Sequence, residues 1–216
     1  MDQFNLDMKL AFCYFKEMQR EEGNRIFEAA FKKMDQTEPS KKRAGGLFEI
    51  AELYRQNGLE SRAMFLYSSV ARMFCDSKQE VSASNVAVIN KCLNGMMQND
   101  EQLKDGTPGK EKNIEIFRGI LQKISELKDK HPNMPEAISL GFYYLARCYS
   151  QRSDGKKSSH YNKRAVQVMQ SAHPDSYKKF YMVGYCMHNL AANQEKIGLH
   201  HEAMQYFQKA IEYLEV

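Results

Sequence analysis

Small and apolar residues recur along this chain with a long period, and the residues between them are mostly polar. The pair Ile50-Ala51 is followed, at 3, 7, 12, 16 and 19 residues after the alanine, by Tyr54, Gly58, Ala63, Tyr67 and Val70. Apolar residues spaced three and four apart indicate helices, and no run of β-branched residues alternates as a strand requires. The pattern predicts two helices separated by a tight turn near Gly58.

The same spacing recurs from three other alanines, each preceded by a leucine. We call these alanines, together with Ala51, the reference positions of their repeat units: Ala11, Ala146 and Ala191. The corresponding residues are Tyr14, Met18, Gly23, Phe27 and Ala30 in the first unit, Tyr149, Ser153, Ser158, Asn162 and Ala165 in the fourth, and Gln194, Gly198, Ala203, Phe207 and Ala210 in the last. Repetition at this period predicts stacked helix pairs.

Helix packing explains why these residue types recur at this spacing. Small residues at the reference position and at offsets 12 and 19 let two antiparallel helices approach closely. The residue at offset 16 fills the space between one pair and the next, and glycine at offset 7 permits the left-handed turn that ends the first helix. One pair cannot bury its apolar face alone, so the sequence predicts an all-α solenoid.

A fifth unit is predicted between the second and the fourth. Asn85-Val86-Ala87 opens it, and Phe117 and Ile120 occupy its second helix, which implies about fourteen extra residues in its turn. The stretch from Gln98 to Lys112, rich in Gly, Pro and Asp, is expected to form that loop. The predicted units of this single domain are 1–38, 40–76, 80–131 with the loop insertion 98–112, 133–173 and 175–216.

This pattern resembles the tetratricopeptide repeat (TPR) family over nearly the whole chain. His131-Pro132 and His173-Pro174 follow second helices and lie 42 residues apart, and Asn85 and Asn189 precede Ala87 and Ala191 by two residues. Both features are similar to the kinesin-light-chain-like variety, although the other units carry Lys9, Glu49 and Tyr144 at the asparagine position. The resemblance implies about five helix pairs in a right-handed superhelix, with a concave wall built mostly from first helices.

A peptide-binding groove would lie on that concave wall. The face opposite the paired helix includes the residues three before and one and four after each reference position. The candidate peptide-binding residues are Asn85, Asn189, Arg147, Arg55, Lys91, Tyr143, His188, Phe12 and Phe48. Asparagines could hydrogen-bond an extended backbone and arginines could bind carboxylates, while the phenylalanines could anchor apolar side chains. Alternatively, the phenylalanines pack between units and the arginines pair within the chain.

Composition narrows the function classes. The net charge of +4 comes from 31 basic and 27 acidic residues spread along the chain, which does not favour nucleic-acid binding. No apolar run is long enough to cross a membrane, and the charged N-terminal residues do not form a secretory signal. Five cysteines without CxxC pairing are typical of buried free thiols, and they favour the cytoplasm without excluding the nucleus.

The sequence contains no motif that predicts catalysis, a metal site or a cofactor. Gly106-Thr107-Pro108-Gly109-Lys110 lacks the glycine spacing and the Ser or Thr of a phosphate-binding loop, and the six histidines have no metal-ligand spacing. Lysine and asparagine do not recur as chaperone-tail binding requires, because the asparagine places hold Phe12, Glu52, Val88, Arg147 and Ala192.

The sequence therefore predicts a non-catalytic adaptor or scaffold that binds a peptide or helical segment of a partner protein. The alternative is a self-assembling architectural element that forms homo-oligomers through its terminal helices, because Ile211 and Leu214 could expose an apolar edge. Such an edge is expected either to dock on another copy or to continue into further repeats of a longer protein.

Overall fold

A computed structural model describes residues 3–34, 41–75, 81–103 and 108–215. These residues form ten α-helices, and a 3₁₀ turn, Tyr177–Lys179, precedes the ninth. The helices are α1 Gln3–Lys16, α2 Arg20–Met34, α3 Lys41–Gln56, α4 Glu60–Cys75, α5 Ala83–Gln102, α6 Pro108–Ser125, α7 Met134–Gln151, α8 Gly155–Ala172, α9 Tyr181–Lys196 and α10 His200–Leu214. None of these helices is long and apolar enough to cross a membrane.

The helices are arranged as consecutive pairs. In four units the first helix packs against the second, as α1/α2, α3/α4, α7/α8 and α9/α10, whereas α5 packs more extensively against α4 and α7 than against α6. One hydrophobic core runs through all units and includes the reference alanines Ala11 and Ala51. The reference alanines Ala146 and Ala191 are also fully buried. The predicted all-α solenoid of stacked helix pairs is confirmed.

The turn between paired helices has the predicted left-handed residue in four units. Positive φ angles occur at Met18 (61°), Gly58 (71°), Ser153 (57°) and Gly198 (80°), which are the residues at offset 7. Each first helix ends two residues earlier, so the left-handed residue reverses the chain into the second helix. Only two of these residues are glycine, and therefore the backbone geometry repeats more strictly than the residue type.

The third unit does not follow the predicted numbering. Helices α1, α3, α7 and α9 end five residues after their reference alanine, and α5 ends at Gln102, which makes Met97 its equivalent. Met97 is buried, whereas Ala87 is exposed. The prediction of Ala87 was wrong because the packed face of α5 is marked by buried apolar residues at helical spacing and not by a small residue. That face continues through the buried Leu93 and Met96.

The predicted loop at 98–112 is also wrong over most of its length. Helix α5 continues to Gln102 and α6 begins at Pro108, while residues 104–107 lie outside the described residues. Counted from Met97, the buried Phe117 and Ile120 each come four residues later than offsets 16 and 19. The insertion is therefore four residues, because the polar residues flanking the Gly-Pro segment continue the two helices.

The cysteines agree with the predicted thiols in part. None of the five forms a disulfide, and burial of Cys92, Cys148 and Cys186 raises the pKa of each thiol. Cys13, by contrast, is exposed on α1. Its exposure follows from its place on the outer face of the first unit.

Candidate functional site

The first helices pack side by side as one layer of the solenoid. Each first helix contacts the next along the series α1, α3, α5, α7 and α9. On the other layer, a cleft of about 510 Å³ separates α2 from α4, and one of about 520 Å³ separates α6 from α8. Among the described residues of the second-helix layer, only α4 and α6 contact each other closely. We take the continuous first-helix layer as the candidate groove.

Four tyrosines cluster on this layer across α7 and α9. The ring centroids of Tyr143 and Tyr144 lie 5.7 Å apart, those of Tyr143 and Tyr185 6.4 Å apart, and those of Tyr181 and Tyr185 6.0 Å apart. The side chains of Tyr181 and Tyr185 are 65% and 46% exposed. The first two ring pairs are tilted and the third is edge-on. Rings that contact each other in this way, while two of them remain open to solvent, form a preorganised aromatic surface, which we call the tyrosine cluster.

Burial controls the ionisation of the inner tyrosines. It raises the pKa of Tyr144 to about 12, and it raises the pKa of Tyr143 although the neighbouring Arg147 opposes the shift. Both phenols therefore stay protonated at neutral pH and can donate as well as accept a hydrogen bond.

Arg147 lies one helical turn after Tyr143 and pairs with a carboxylate of the neighbouring unit. Its Nη2 atom is 2.6 Å from Oε1 of Glu101 on α5. The side chains of Arg147 and Glu101 are 41% and 25% exposed, so both charges remain accessible at the edge of the tyrosine cluster. The predicted carboxylate-binding arginine therefore holds a carboxylate of its own chain.

The second unit presents a closed arrangement. Arg55 Nη2 lies 2.8 Å from Glu52 Oε2, and the hydroxyl of Tyr67 donates to the same carboxylate. The ring of Phe48 covers Tyr67 at a centroid distance of 5.8 Å. With only 15% of its side chain exposed, Arg55 offers little of its charge to a ligand.

The remaining candidates are spread along the array. The half-buried Phe12 packs on Tyr54 of the second unit at 5.6 Å, and the exposed His188 meets Phe207 of its own unit edge-on at 5.7 Å. Lys91 is exposed on α5, and Asn189 is half-buried on α9. The structure thus brings together Tyr143 and Arg147, and it separates them from the predicted N-terminal residues.

Asn85 is engaged inside the fold. It is 6% exposed near the N-terminus of α5, where Ser82 Oγ donates to its Oδ1 atom at 2.9 Å. Ser82 Oγ in turn accepts from the backbone N–H of Asn85 at 3.4 Å, which caps the helix. The sequence placed Asn85 in the groove through the incorrect reference position at Ala87.

Sequence reasoning missed Glu101, Tyr144, Tyr181 and Tyr185. Glu101 lies four residues after Met97, so the correct reference position would have found it. Tyr181 and Tyr185 lie ten and six residues before Ala191, outside the three offsets considered, but their spacing of four on one helix is a usable signal.

No protein-family model and no curated protein matches the sequence, whereas solved structures match its fold. A putative kinesin light chain of Podosopora anserina with nearly identical TPR-like repeats is 17% identical, covering 99% of this chain and 96% of that chain, with a TM-score of 0.50. BtubC of P. vanneervenii is 16% identical, and the match covers 94% of this chain and 76% of that chain with a TM-score of 0.54. A Rap protein complexed with Competence and Sporulation Factor is also 16% identical, and the match covers 94% of this chain and 51% of that chain with a TM-score of 0.52. The fold is that of the TPR-like repeat proteins.

The side chains of the described residues show no arrangement that points to a metal site. Within the part of the chain that the structure describes, no group of three or more His, Cys, Asp and Glu side chains could hold a metal ion. The buried cysteines have pKa values raised by burial, which disfavours the reactive thiolate form. We therefore take the tyrosine cluster with the Arg147–Glu101 pair as the candidate ligand surface.

Proposed function

We propose that this TPR-like chain is a non-catalytic interaction module that binds a segment of a partner protein on its concave layer. The observation that carries the proposal is the tyrosine cluster beside the Arg147–Glu101 pair. Tyrosine and arginine are enriched in protein interfaces because they combine a large contact area with hydrogen-bonding groups. A contiguous patch of exposed rings is typical of an interaction site.

The chemistry of the surface suggests how a peptide segment would bind. Tyr181 and Tyr185 offer ring faces to an apolar or aromatic side chain, and Arg147 offers its guanidinium to an acidic residue that competes with Glu101. The half-buried Asn189 could hydrogen-bond the peptide backbone. A segment long enough to cross several units would also contact the remaining candidates, which are Phe12, Phe48, Arg55, Lys91 and His188. Asn85 would contribute only indirectly, because it caps α5.

Two further observations support this proposal. TPR-like repeat folds generally serve as non-catalytic interaction modules. The Rap protein of the same fold was solved in complex with Competence and Sporulation Factor, so this fold can carry a bound partner. We further propose that the chain acts in the cytoplasm or the nucleus, which five cysteines without a disulfide favour.

Peptide display tests the proposal. A random peptide library is selected on the immobilised chain, and the affinity of a selected peptide is measured by fluorescence anisotropy. We expect Tyr181→Ala with Tyr185→Ala to weaken binding roughly tenfold or more, as truncated interface anchors do. Phe65→Ala is the matched control, because Phe65 is an exposed aromatic residue on the second-helix layer. Equal affinity of the wild-type chain and the double variant would contradict the proposed site.

A second candidate function is self-assembly, and the exposed apolar residues of α10 favour it. Met204, Ile211 and Leu214 are spaced seven and three residues apart, so they share one face of the last helix. Light scattering over a concentration series tests this candidate. If the measured mass equals that of a single chain at every concentration, self-assembly is excluded.

A further inference from the structure

Inner first helices bury one face against the preceding unit. The residue before each reference position shows this most clearly: Ile50 is 1%, Met96 0%, Leu145 1% and Leu190 2% exposed. In α1 the same position is Leu10, which is 48% exposed, and Leu6 four residues earlier is 47% exposed. The first unit therefore presents, uncovered, the face that later units use for stacking. We call Leu6, Leu10 and Cys13 the head face.

The last second helix presents the complementary face. At offsets 13, 20 and 23, α4 carries Met64, Ala71 and Phe74, which are 0%, 0% and 8% exposed beneath α5. In α10 the same offsets hold Met204, Ile211 and Leu214, which are 51%, 58% and 44% exposed. We call these three residues the tail face. It corresponds to the surface that the next first helix covers on α4.

One inner junction shows which positions of the two faces meet. Asn193 of α9, two residues after its reference position, donates through Nδ2 to Ser159 Oγ of α8 at 3.1 Å. Ser159 lies at offset 13 of the fourth unit. Cys13 occupies the Asn193 position in the first unit, and Met204 occupies the Ser159 position in the last. A junction between two chains that copied the inner junction would bring Cys13 against Met204.

We propose that copies of this chain stack head to tail, with the head face of one copy seated on the tail face of the next so that the solenoid continues across the junction. This inference rests on self-assembly, the second candidate function. The occupant is a second copy because the chain itself carries both halves of a junction that it makes internally. The two faces differ, so the contact is heterologous, and the assembly is an open chain with one unused head face at one end and one unused tail face at the other.

Disulfide trapping tests the register of the junction. The variant Met204→Cys is treated with diamide as the oxidant and separated by non-reducing electrophoresis. We expect a ladder of dimers, trimers and higher multiples, because each copy contributes Cys13 at its head and the new cysteine at its tail. Met204→Cys combined with Cys13→Ser should form no ladder. Lys209→Cys is the matched control, because position 209 is exposed on the opposite side of α10.

Complementation of blocked faces tests the polarity without a crosslink. Leu10→Asp blocks the head face and Ile211→Asp blocks the tail face, and both positions are solvent-exposed, so the fold is preserved. Light scattering should give the mass of one chain for each variant alone and of two chains for their mixture. In the mixture, the intact tail face of Leu10→Asp can bind the intact head face of Ile211→Asp, and no further copy can join.

The outcomes separate this inference from the function on which it rests. A wild-type chain that remains monomeric at every concentration overturns both self-assembly and head-to-tail stacking, and it leaves peptide binding untouched. Association of the wild-type chain without a ladder from Met204→Cys, or with an equal ladder from Lys209→Cys, overturns the stacking register while self-assembly stands. A ladder specific to Met204→Cys together with a two-chain mixture supports the proposal.

Discussion

Arg152 and Asp100 form a two-point ion pair that joins the third unit to the fourth. Arg152 Nη1 lies 2.7 Å from Asp100 Oδ2, and Arg152 Nη2 lies 2.8 Å from Asp100 Oδ1. The same guanidinium donates to the backbone carbonyls of Cys148 and Lys110, each at 2.8 Å. With side chains only 11% and 1% exposed, the pair ties the ends of α5 and α7 to the beginning of α6.

Removal of the arginine should destabilise the chain strongly. We expect Arg152→Met to lower the free energy of unfolding by about 3–5 kcal/mol, because the buried carboxylate of Asp100 loses its charged partner. Urea denaturation followed by circular dichroism measures the change. Arg118→Met is the control: Arg118 is exposed on α6, and its replacement should change the free energy of unfolding by less than about 0.5 kcal/mol. Equal losses in the two variants would contradict a structural role for the pair.

The sequence predicts four of the five helix pairs because the packing requirements repeat at the same offsets. A small reference residue, a left-handed residue at offset 7 and a bulky residue at offset 16 are local demands of each unit. The third unit substitutes Met97 at the reference position and Asp100 where the second and fourth units have Tyr54 and Tyr149. In the third unit the ion pair between Asp100 and Arg152 replaces the packing of that tyrosine. No local sequence pattern connects two residues that lie 52 positions apart.

The candidate site could be predicted only where the reference position was correct. Tyr143 and Arg147 follow from Ala146, and the structure brings them to one edge of the tyrosine cluster. Asn85 followed from Ala87 and lies instead in a helix cap. The pairing of Arg147 with Glu101 depends on how α5 and α7 approach each other, which the sequence does not specify.

Close approach of α4 and α5 requires a glycine at position 95. An added Cβ atom there would lie 2.6 Å from ring atoms of Tyr67, whose buried ring has no room to move. We expect Gly95→Ala to lower the free energy of unfolding by about 1–3 kcal/mol, although alanine normally stabilises a helix. Gly119→Ala is the control, since nothing lies within 4 Å of its added Cβ, and it should raise stability by about 0.5–1 kcal/mol. A stabilised Gly95→Ala variant would argue against this close packing.

Two substitutions at equivalent left-handed positions should change stability in opposite directions, because one introduces glycine and the other removes it. Met18 has a φ of 61° and an exposed side chain, so Met18→Gly should raise the free energy of unfolding by about 0.5–1 kcal/mol as backbone strain is removed. Gly198, with a φ of 80°, should lose a similar amount as Gly198→Ala. Thermal denaturation of the two variants beside the wild-type chain measures both changes. Shifts of the same sign would show that strain at offset 7 does not control the turn.

Ionisation of Tyr144 should couple the tyrosine cluster to stability at alkaline pH. Burial raises the pKa of Tyr144 to about 12 in the folded chain, whereas a phenol in the unfolded chain titrates near pH 10, at about its ordinary pKa. The unfolded chain therefore releases this proton first. The stabilising contribution is fully present below about pH 10 and is lost as the pH rises through about 12.

The variant Tyr144→Phe isolates this contribution. Between about pH 9 and about pH 12, the free energy of unfolding of the wild-type chain should fall by about 1 kcal/mol more than that of the variant. The difference is this small because a phenol at the edge of solvent retains part of its hydration, which reduces the figure of about 1.4 kcal/mol per pKa unit. Urea denaturation across this pH range measures it, with Tyr181→Phe as the control, because the Tyr181 ring is largely exposed. If the free energy of unfolding fell equally in the wild-type chain and in Tyr144→Phe over this pH range, the Tyr144 phenol would not be shielded from solvent. The tyrosine cluster would then lack the buried ring on which its two exposed rings depend for their orientation.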